Sequence, residues 1–451
     1  MATTDQSLEV NELPQSEIDK RFGEIIAAEP KPVDSFVPAD ASIQKELFLK
    51  GEIRNPDHTY IQLAEIDFEQ NIEKIVTATD HILVDDHLNK KFEGVYEEFR
   101  DDYVNKTRFM QLAKAFKSEQ NPDKKAQIKA EYMALNVEIY GEPDEETYRS
   151  LLGEKIQHIN EKDLVGNAAA IRSELQEMVG DYSGESHERF IPSQETVDWM
   201  QGITESLYGG MLSHVPEQES FEHHEIAAVL REILEEEFGE AARGWTVVIE
   251  KAQSIKVQPG DKKIIVPEGK TLDRQTLCSR IVHEIGVHFL RSVMGAQTDL
   301  PPFSLGLSKY FDSEEALGAI MEQALASKYK EAGVDHYIAA GLGYFDNKDF
   351  RETFEIKWRL SALSGLKSGE VLTPEAIEKA KELAYNGTMR SRRGTDELPW
   401  FKDLSYYNAV DTWKYIEENR GDDLMFMFLL LGKGDAGNAA HRSVMLETAT
   451  V

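Results

Sequence analysis

Cysteine is almost absent: Cys278 is the only one in 451 residues. That excludes an internal disulfide framework and any metal site built on thiolates, and it fits a reducing compartment. Basic residues are also scarce, 50 against 82 acidic ones, for a net charge of -32. Such a surface repels polyanions, which excludes nucleic acid and anionic membranes as partners unless a local basic patch overrides the field. Long apolar runs are missing too. The most apolar, Leu424 to Leu431, falls far short of the roughly 20 residues that cross a bilayer. The opening MATTDQSLEV has neither the basic nor the apolar region of a secretory signal. The expectation is a cytoplasmic protein with no membrane partner.

What is present is ordinary for a globular chain, with 41% hydrophobic and 9% aromatic residues over a length that allows two subdomains or one large helical domain. Residues 1–50 are acidic and punctuated by Pro14, Pro30, Pro32 and Pro38, which reads as a flexible leader with one short helix near Glu17–Ala28. Residues 51–215 read as a helical N-terminal subdomain. There Ile72, Ile75 and Val76, then Phe92, Tyr96 and Phe99, recur at helical spacing with charges between them. Residues 216–451 hold the chemistry. An amphipathic helix is expected over Ser220 to Phe238. Strands follow at Trp245 to Glu250 and within Ser254 to Pro267, around a turn at Pro259, Gly260 and Asp261. A strand beside the metal helix is placed either to pair with an extended peptide or simply to support the helix. Further helices are expected over Asp312 to Gly333, Phe350 to Gly365 and Thr373 to Asn386, the last capped by Thr373 with Pro374 in its first turn, and Met389 to Tyr407 reads as a loop. The fold class expected is α+β, mostly α-helical, with a small β-sheet beside a central helix in the manner of zincin-like metalloenzymes.

That central helix is Thr276 to Gly295, TLCSRIVHEIGVHFLRSVMG. Leu277, Ile281, Ile285, Phe289 and Val293 form a stripe at spacing four that would seat it in a core, with His283 on another face. His283 and His288 are candidate metal ligands, and Glu284 beside the first is a candidate proton acceptor. Their spacing is five rather than four, about 140° apart on an ideal helix, so a shared ion requires one extra residue in a π-type bulge, which Gly286 would ease. Two unrelated histidines are the plainer alternative. Catalytic zinc takes three protein ligands and leaves a position open to water, so a third ligand is expected from a downstream helix. Glu314 and Glu315 open such a helix. Against both stands Asp312 as an N-cap with Glu315 three residues on, a capping box, so the residues themselves leave the choice open. Glu322 is a fallback ligand or a solvated side chain.

The sequence HEIGVHFLR, residues 283 to 291, resembles the DUF1704 metallopeptidases, which include the eukaryotic tubulin tyrosine carboxypeptidases. EEALG at 314 to 318, RSRRGT at 390 to 395, KDLSY at 402 to 406 and EIYGEPDEETY at 138 to 148 match further elements of that family in order, so the resemblance spans about 55 to 420. Dipeptidyl peptidases with a His-Glu-Leu-Leu-Gly-His motif also space their histidines by five, but there glycine directly precedes the second histidine, whereas Gly286 lies two before His288.

The resemblance implies a peptidase holding one Zn²⁺ through His283, His288 and Glu315, with Glu284 as general base and Tyr406 as a donor to the oxyanion. It implies Arg390 and Arg393, assisted by Lys402, as the groups that recognise the carboxylate of a peptide or protein C-terminus, the terminal residue removed being tyrosine or another aromatic. Arg291, three residues after His288, is placed to orient a carboxylate behind the metal ligands. The basic turn also admits a plainer role in pairing with surface acids, as Tyr406 does in packing. A non-catalytic helical interaction protein that keeps the fold, and a zinc peptidase of other end-specificity, remain the alternatives.

Overall fold

In the computed structural model, residues 17–448 are described except 29, 87, 181–188, 253, 299, 422–431 and 436–437. The apolar run Leu424 to Leu431 and the opening segment therefore lie outside the described residues. The fold is α+β and mostly helical, as the periodicities require. No described helix is long and apolar enough to cross a membrane.

Residues 17–50 depart from the expected flexible leader. Glu17–Ala28 is a helix, and Phe22 and Ile25 on its inner face are buried in the same core as the metal helix. Phe36 and Phe48 are fully buried further on. Pro32 instead starts a short helix, Pro32–Ser35. The packed cores do not follow a boundary at 215 either. One combines Ile75, Val95 and Tyr208 with Ile281 and Ile285, and a second combines Tyr148 and Leu151 with Tyr337 and Phe354.

Among the described residues five strands make two small sheets. β1 (Ser220–Glu222) pairs antiparallel with β5 (Thr271–Asp273), Phe221 opposite Leu272. β2 (Thr246–Glu250), β3 (Lys256–Gln258) and β4 (Lys263–Pro267) form the other in the order β2-β4-β3. β3 and β4 are the expected hairpin, turning at Pro259–Asp261 with Lys262 in the left-handed region at φ 48°. β2 pairs with β4 in parallel, because the helix His223–Ile233 and its continuation deliver the chain to that end of the sheet. The strand that enters the metal helix, β5, pairs along one edge with β1, and its Leu272 stands in the cavity wall; the edge strand β3 adds Lys256 and Val257 to that wall.

Asp273 caps the metal helix by accepting from the Thr276 amide at 2.7 Å. Arg274–Arg280, Ile281–Phe289 and Leu290–Ala296 then run on without a break, and the middle segment is π-helical. The extra residue that the His283–His288 spacing demands is thus absorbed between Ile281 and Phe289. Leu277, Ile281, Ile285 and Phe289 are wholly buried and Val293 nearly so. At roughly 1.5–3 kcal/mol for each such side chain, this stripe outweighs the cost of the irregular turn. Gly286 owes its identity to a close approach: a Cβ there would sit 2.9 Å from the Tyr208 ring, whose hydroxyl donates to the Gly286 carbonyl at 2.9 Å.

Candidate metal centre

His283, His288 and Glu315 each present a ligand atom, all within 4.8 Å of one another, and the two imidazole centroids are 4.9 Å apart. The π-helical turn supplies the histidines; the Tyr310–Leu325 helix supplies Glu315. That helix starts two residues before Asp312, behind Lys309 at φ 54°, so the capping box read from sequence does not form. Asp312 instead accepts from Asn408 Nδ2 at 3.1 Å, and burial pushes its carboxyl up to about 6. Glu315 is thereby free of a capping role and lies buried in the cluster.

The two adjacent glutamates have different tasks. Glu314 Oε1 accepts from His288 Nδ1 at 2.9 Å, which leaves His288 Nε2 to face the cluster. Arg291 Nη1 donates to Glu314 Oε2, and Lys433 Nζ to Oε1 at 2.7 Å. Although burial works the other way, Lys433 and Arg291 hold the Glu314 carboxyl far below the usual carboxylate range. Arg291 thus orients a carboxylate behind His288, an arrangement that fixes the ring and its tautomer.

His283 turns Nε2 toward Glu315 Oε2, 3.8 Å away. Glu322 Oε1 stands 2.9 Å from His283 Nδ1, out of line with the ring N–H, and 2.9 Å from Arg280 Nη1. Glu322 is therefore neither a ligand nor simply solvated: it backs His283 and is neutralised by Arg280. Burial disfavours a charged His283, yet Glu322, Glu284 and Glu315 together raise its pKa to about 9. Gly318 makes the room for this ring, since a Cβ there would meet the imidazole at 2.7 Å. Glu284 is 6% exposed, and burial raises its pKa against the pull of both histidines.

The donor set fits a divalent cation. Glu314 is offset by Arg291 and Lys433, and Glu322 by Arg280. Among the described residues neither Glu284 nor Glu315 has a lysine or arginine partner within ion-pair distance, and the cation beside them is the His283 imidazole, whose charge a bound divalent ion would replace. His283, His288 and Glu315 are of the residue types that hold catalytic zinc.

A cavity of about 610 Å³ opens over the cluster, and Arg390 and Tyr406 stand in its wall with Glu284. Arg390 grips Asp403 through Nε and Nη2 at 2.6 and 2.8 Å and donates from Nη2 to the Tyr406 hydroxyl at 3.2 Å. Those bonds fix the guanidinium plane and keep Asp403 ionised well below its ordinary range, with Lys402 contributing. Burial pushes the Tyr406 phenol up, so it keeps its proton at neutral pH. Tyr406 lies in the short helix Phe401–Tyr406, and the preceding helix runs on to Arg390, so the expected loop is in part structured.

Arg393 and Lys402 stand elsewhere than a cavity-wall role would require. Arg393 lies 5.3 Å over the Trp400 ring with its Nε buried and without a hydrogen-bond partner, and it is absent from the wall of this cavity. Lys402 Nζ sits 4.0 Å over the Phe311 ring and 3.9 Å from Asp403, in the wall of an adjoining cavity of about 280 Å³. Arg392 does not pair with surface acids; it is buried and donates to the Lys348 and Glu397 carbonyls and Thr353 Oγ1. His336, which no local pattern marked, lines the metal cavity next to Tyr406, with ring centroids 5.8 Å apart. Lys433 was equally unmarked: only the fold brings it to Glu314.

No family model matches the chain, and no curated protein or solved structure is significantly similar to it.

Proposed function

We propose that the chain is a zinc-dependent peptidase of the carboxypeptidase type, a relative of the DUF1704 metallopeptidases. The observation that supports this reading is one cavity that holds two buried carboxylates and two imidazoles and, in the same wall, a fixed arginine and a protonated phenol. Zinc, when bound by His283, His288 and Glu315, supplies Lewis acidity toward water and the scissile carbonyl.

Glu284 is the base: buried and next to a ligand, it takes a proton from the attacking water and returns it to the leaving amine. Tyr406 donates to the oxygen that gains charge in the tetrahedral intermediate, and Arg390, donating to the phenol oxygen, leaves the phenol proton free for that bond. The Nη1 of Arg390 carries no partner among the described residues, and it meets the terminal carboxylate. Around Asp403, the cations Arg390, Arg393 and Lys402 leave an excess of positive charge, which favours an anionic end group over an internal peptide.

Away from Arg390, the metal cavity shares Lys256, Val257, Tyr310 and Phe311 with the 280 Å³ cavity. Five lysines, including Lys31, Lys106 and Lys309, line that second space against Asp34 and Asp102. This locally basic approach reverses the field of a chain at -32 and suits a peptide with acidic residues before the scissile bond.

The test is mass spectrometry of matched peptides with acidic penultimate segments, bearing free or amidated C-termini. Loss of one terminal residue from the free acids alone, abolished by chelation, is expected. Equal cleavage of amidated peptides would remove the end-specificity, and no cleavage of either by zinc-loaded protein would contradict the peptidase reading.

A further inference from the structure

The residues that follow the undescribed stretch 422–431 return to the metal centre from more than a hundred positions away. Lys433 is 3% exposed, and its ammonium donates to Glu314 Oε1, the same oxygen that accepts from His288 Nδ1. Its backbone is held from both sides: Lys433 N donates to the Phe303 carbonyl and Leu307 N to the Lys433 carbonyl, each at 2.9 Å. The next residue continues the attachment, for the Gly434 carbonyl accepts from Arg291 Nη2 at 3.1 Å. Asp435 Oδ1 then accepts from Ser313 Oγ at 3.1 Å.

Glycines on either side of Lys433 allow this approach. A Cβ at Gly432 would meet the Phe303 Cβ at 3.2 Å, and one at Gly434 the Met445 sulfur at 2.6 Å. The segment therefore touches both helices of the metal centre at the residues adjoining the ligands. It contacts Arg291 on the metal helix, and Ser313 and Glu314 on the Tyr310–Leu325 helix.

We infer that residues 432–435 are part of the metal centre and that Lys433 is a positioning residue, holding Glu314 against His288 so that the imidazole presents Nε2 to the metal. The inference rests on the metal-binding reading above. Its physical content is that a carboxylate behind a ligating histidine fixes ring orientation and raises ligand basicity, and that losing such support typically weakens metal binding about 10–100-fold. Without Lys433 the Glu314 carboxylate keeps Arg291 but loses the cation on the oxygen it shares with His288.

The experiment is competition of full-length protein with a chromophoric chelator for Zn²⁺, comparing wild type, Lys433→Met, Lys433→Arg, Glu314→Gln and the Lys433→Met/Glu314→Gln double variant, with metal-free circular dichroism as a check of folding. Lys433→Met is expected to weaken zinc by at least about ten-fold, Lys433→Arg to recover most of that loss, and the Met substitution to cost little more once Glu314 is Gln, because both act through one contact. If the Met variant does not fold, Lys433→Gln takes its place. A folded Lys433→Met or Lys433→Gln protein with wild-type affinity, or losses that simply add in the double variant, would overturn the inference while leaving the metal site standing. Wild-type protein that takes up no zinc would overturn the metal reading and this inference with it.

Discussion

The imidazole of His283 occupies the space that a side chain on residue 318 would need: a Cβ on Gly318 would lie 2.7 Å from the ring. The glycine stands one turn after Glu314 on the helix that also carries Glu315, so Glu315 and the clearance for His283 come from the same element. Gly318→Ala must therefore push the ring off its position. Zinc affinity is expected to fall at least about ten-fold, with a stability loss of roughly 1–3 kcal/mol from overpacking. Gly202→Ala, in a helix where a Cβ meets nothing within 4 Å, is the control and is expected to be neutral or stabilising. Unchanged zinc affinity in Gly318→Ala would show that His283 does not need its present position.

Glu284 and Glu315 are both buried carboxylates in one cavity, yet their substitutions should separate. Glu284→Gln keeps shape and removes the base, so it is expected to retain zinc while turnover falls about 10²–10⁴-fold. Glu315→Gln is expected to lose zinc. Metal content and peptide turnover measured side by side distinguish the two, and a Glu284→Gln enzyme with normal turnover would remove Glu284 from the chemistry.

His336 gives a pH prediction. Burial lowers its pKa from 6.5 to about 4, against a smaller upward pull from Asp403. The folded protein thus binds fewer protons at this site than the unfolded chain between these values. Its contribution to stability is complete above 6.5 and is lost as pH falls toward 4, on the order of 3 kcal/mol in all. Urea unfolding of metal-free wild type and His336→Asn at pH 7.5 and 4.5 should show a smaller acid loss in the variant. Equal losses would mean that His336 titrates normally.

Much of this centre could be read from the chain. The spacing of His283 and His288 demands a bulge, and the stripe from Leu277 to Val293 fixes which side of the helix is packed; Ile281–Phe289 is π-helical and the stripe is buried. The cap at Thr373 was equally plain, because its donor is local: the Ala376 amide bonds Thr373 Oγ1 at 3.2 Å. The choice between Glu314 and Glu315 could not be made from residues alone, since the helix start depends on the turn at Lys309, and the capping pattern at Asp312 fits equally well to a helix that begins later. The Val334–Tyr344 helix that carries His336 contains two glycines that read as breakers, and its burial comes from tertiary packing. Lys433 reaches Glu314 across 119 positions, a contact without any local signal. Residues 17–50 misled for a related reason. Among the described residues there, the acids are exposed or half-buried, whereas Phe22, Ile25, Phe36 and Phe48 are buried one at a time against distant helices.

Arg390 and Asp403 form a two-pronged pair at 2.6 and 2.8 Å, which fixes the plane of the guanidinium proposed to meet the terminal carboxylate. Lysine keeps the charge but lacks the fork. Arg390→Lys is expected to raise KM for free-acid peptides by about ten-fold or more and to change kcat less. Steady-state kinetics on the free-acid series check this, and an unaltered KM would assign terminal recognition to other groups.

Whether His283, His288 and Glu315 hold one zinc ion is decided by elemental mass spectrometry of freshly purified, unchelated protein. Near-stoichiometric zinc in the wild type and in Glu284→Gln, lost in His288→Ala and Glu315→Ala, is the predicted result. Wild-type protein without metal, or Glu315→Ala protein that keeps a full complement of zinc, would contradict the account.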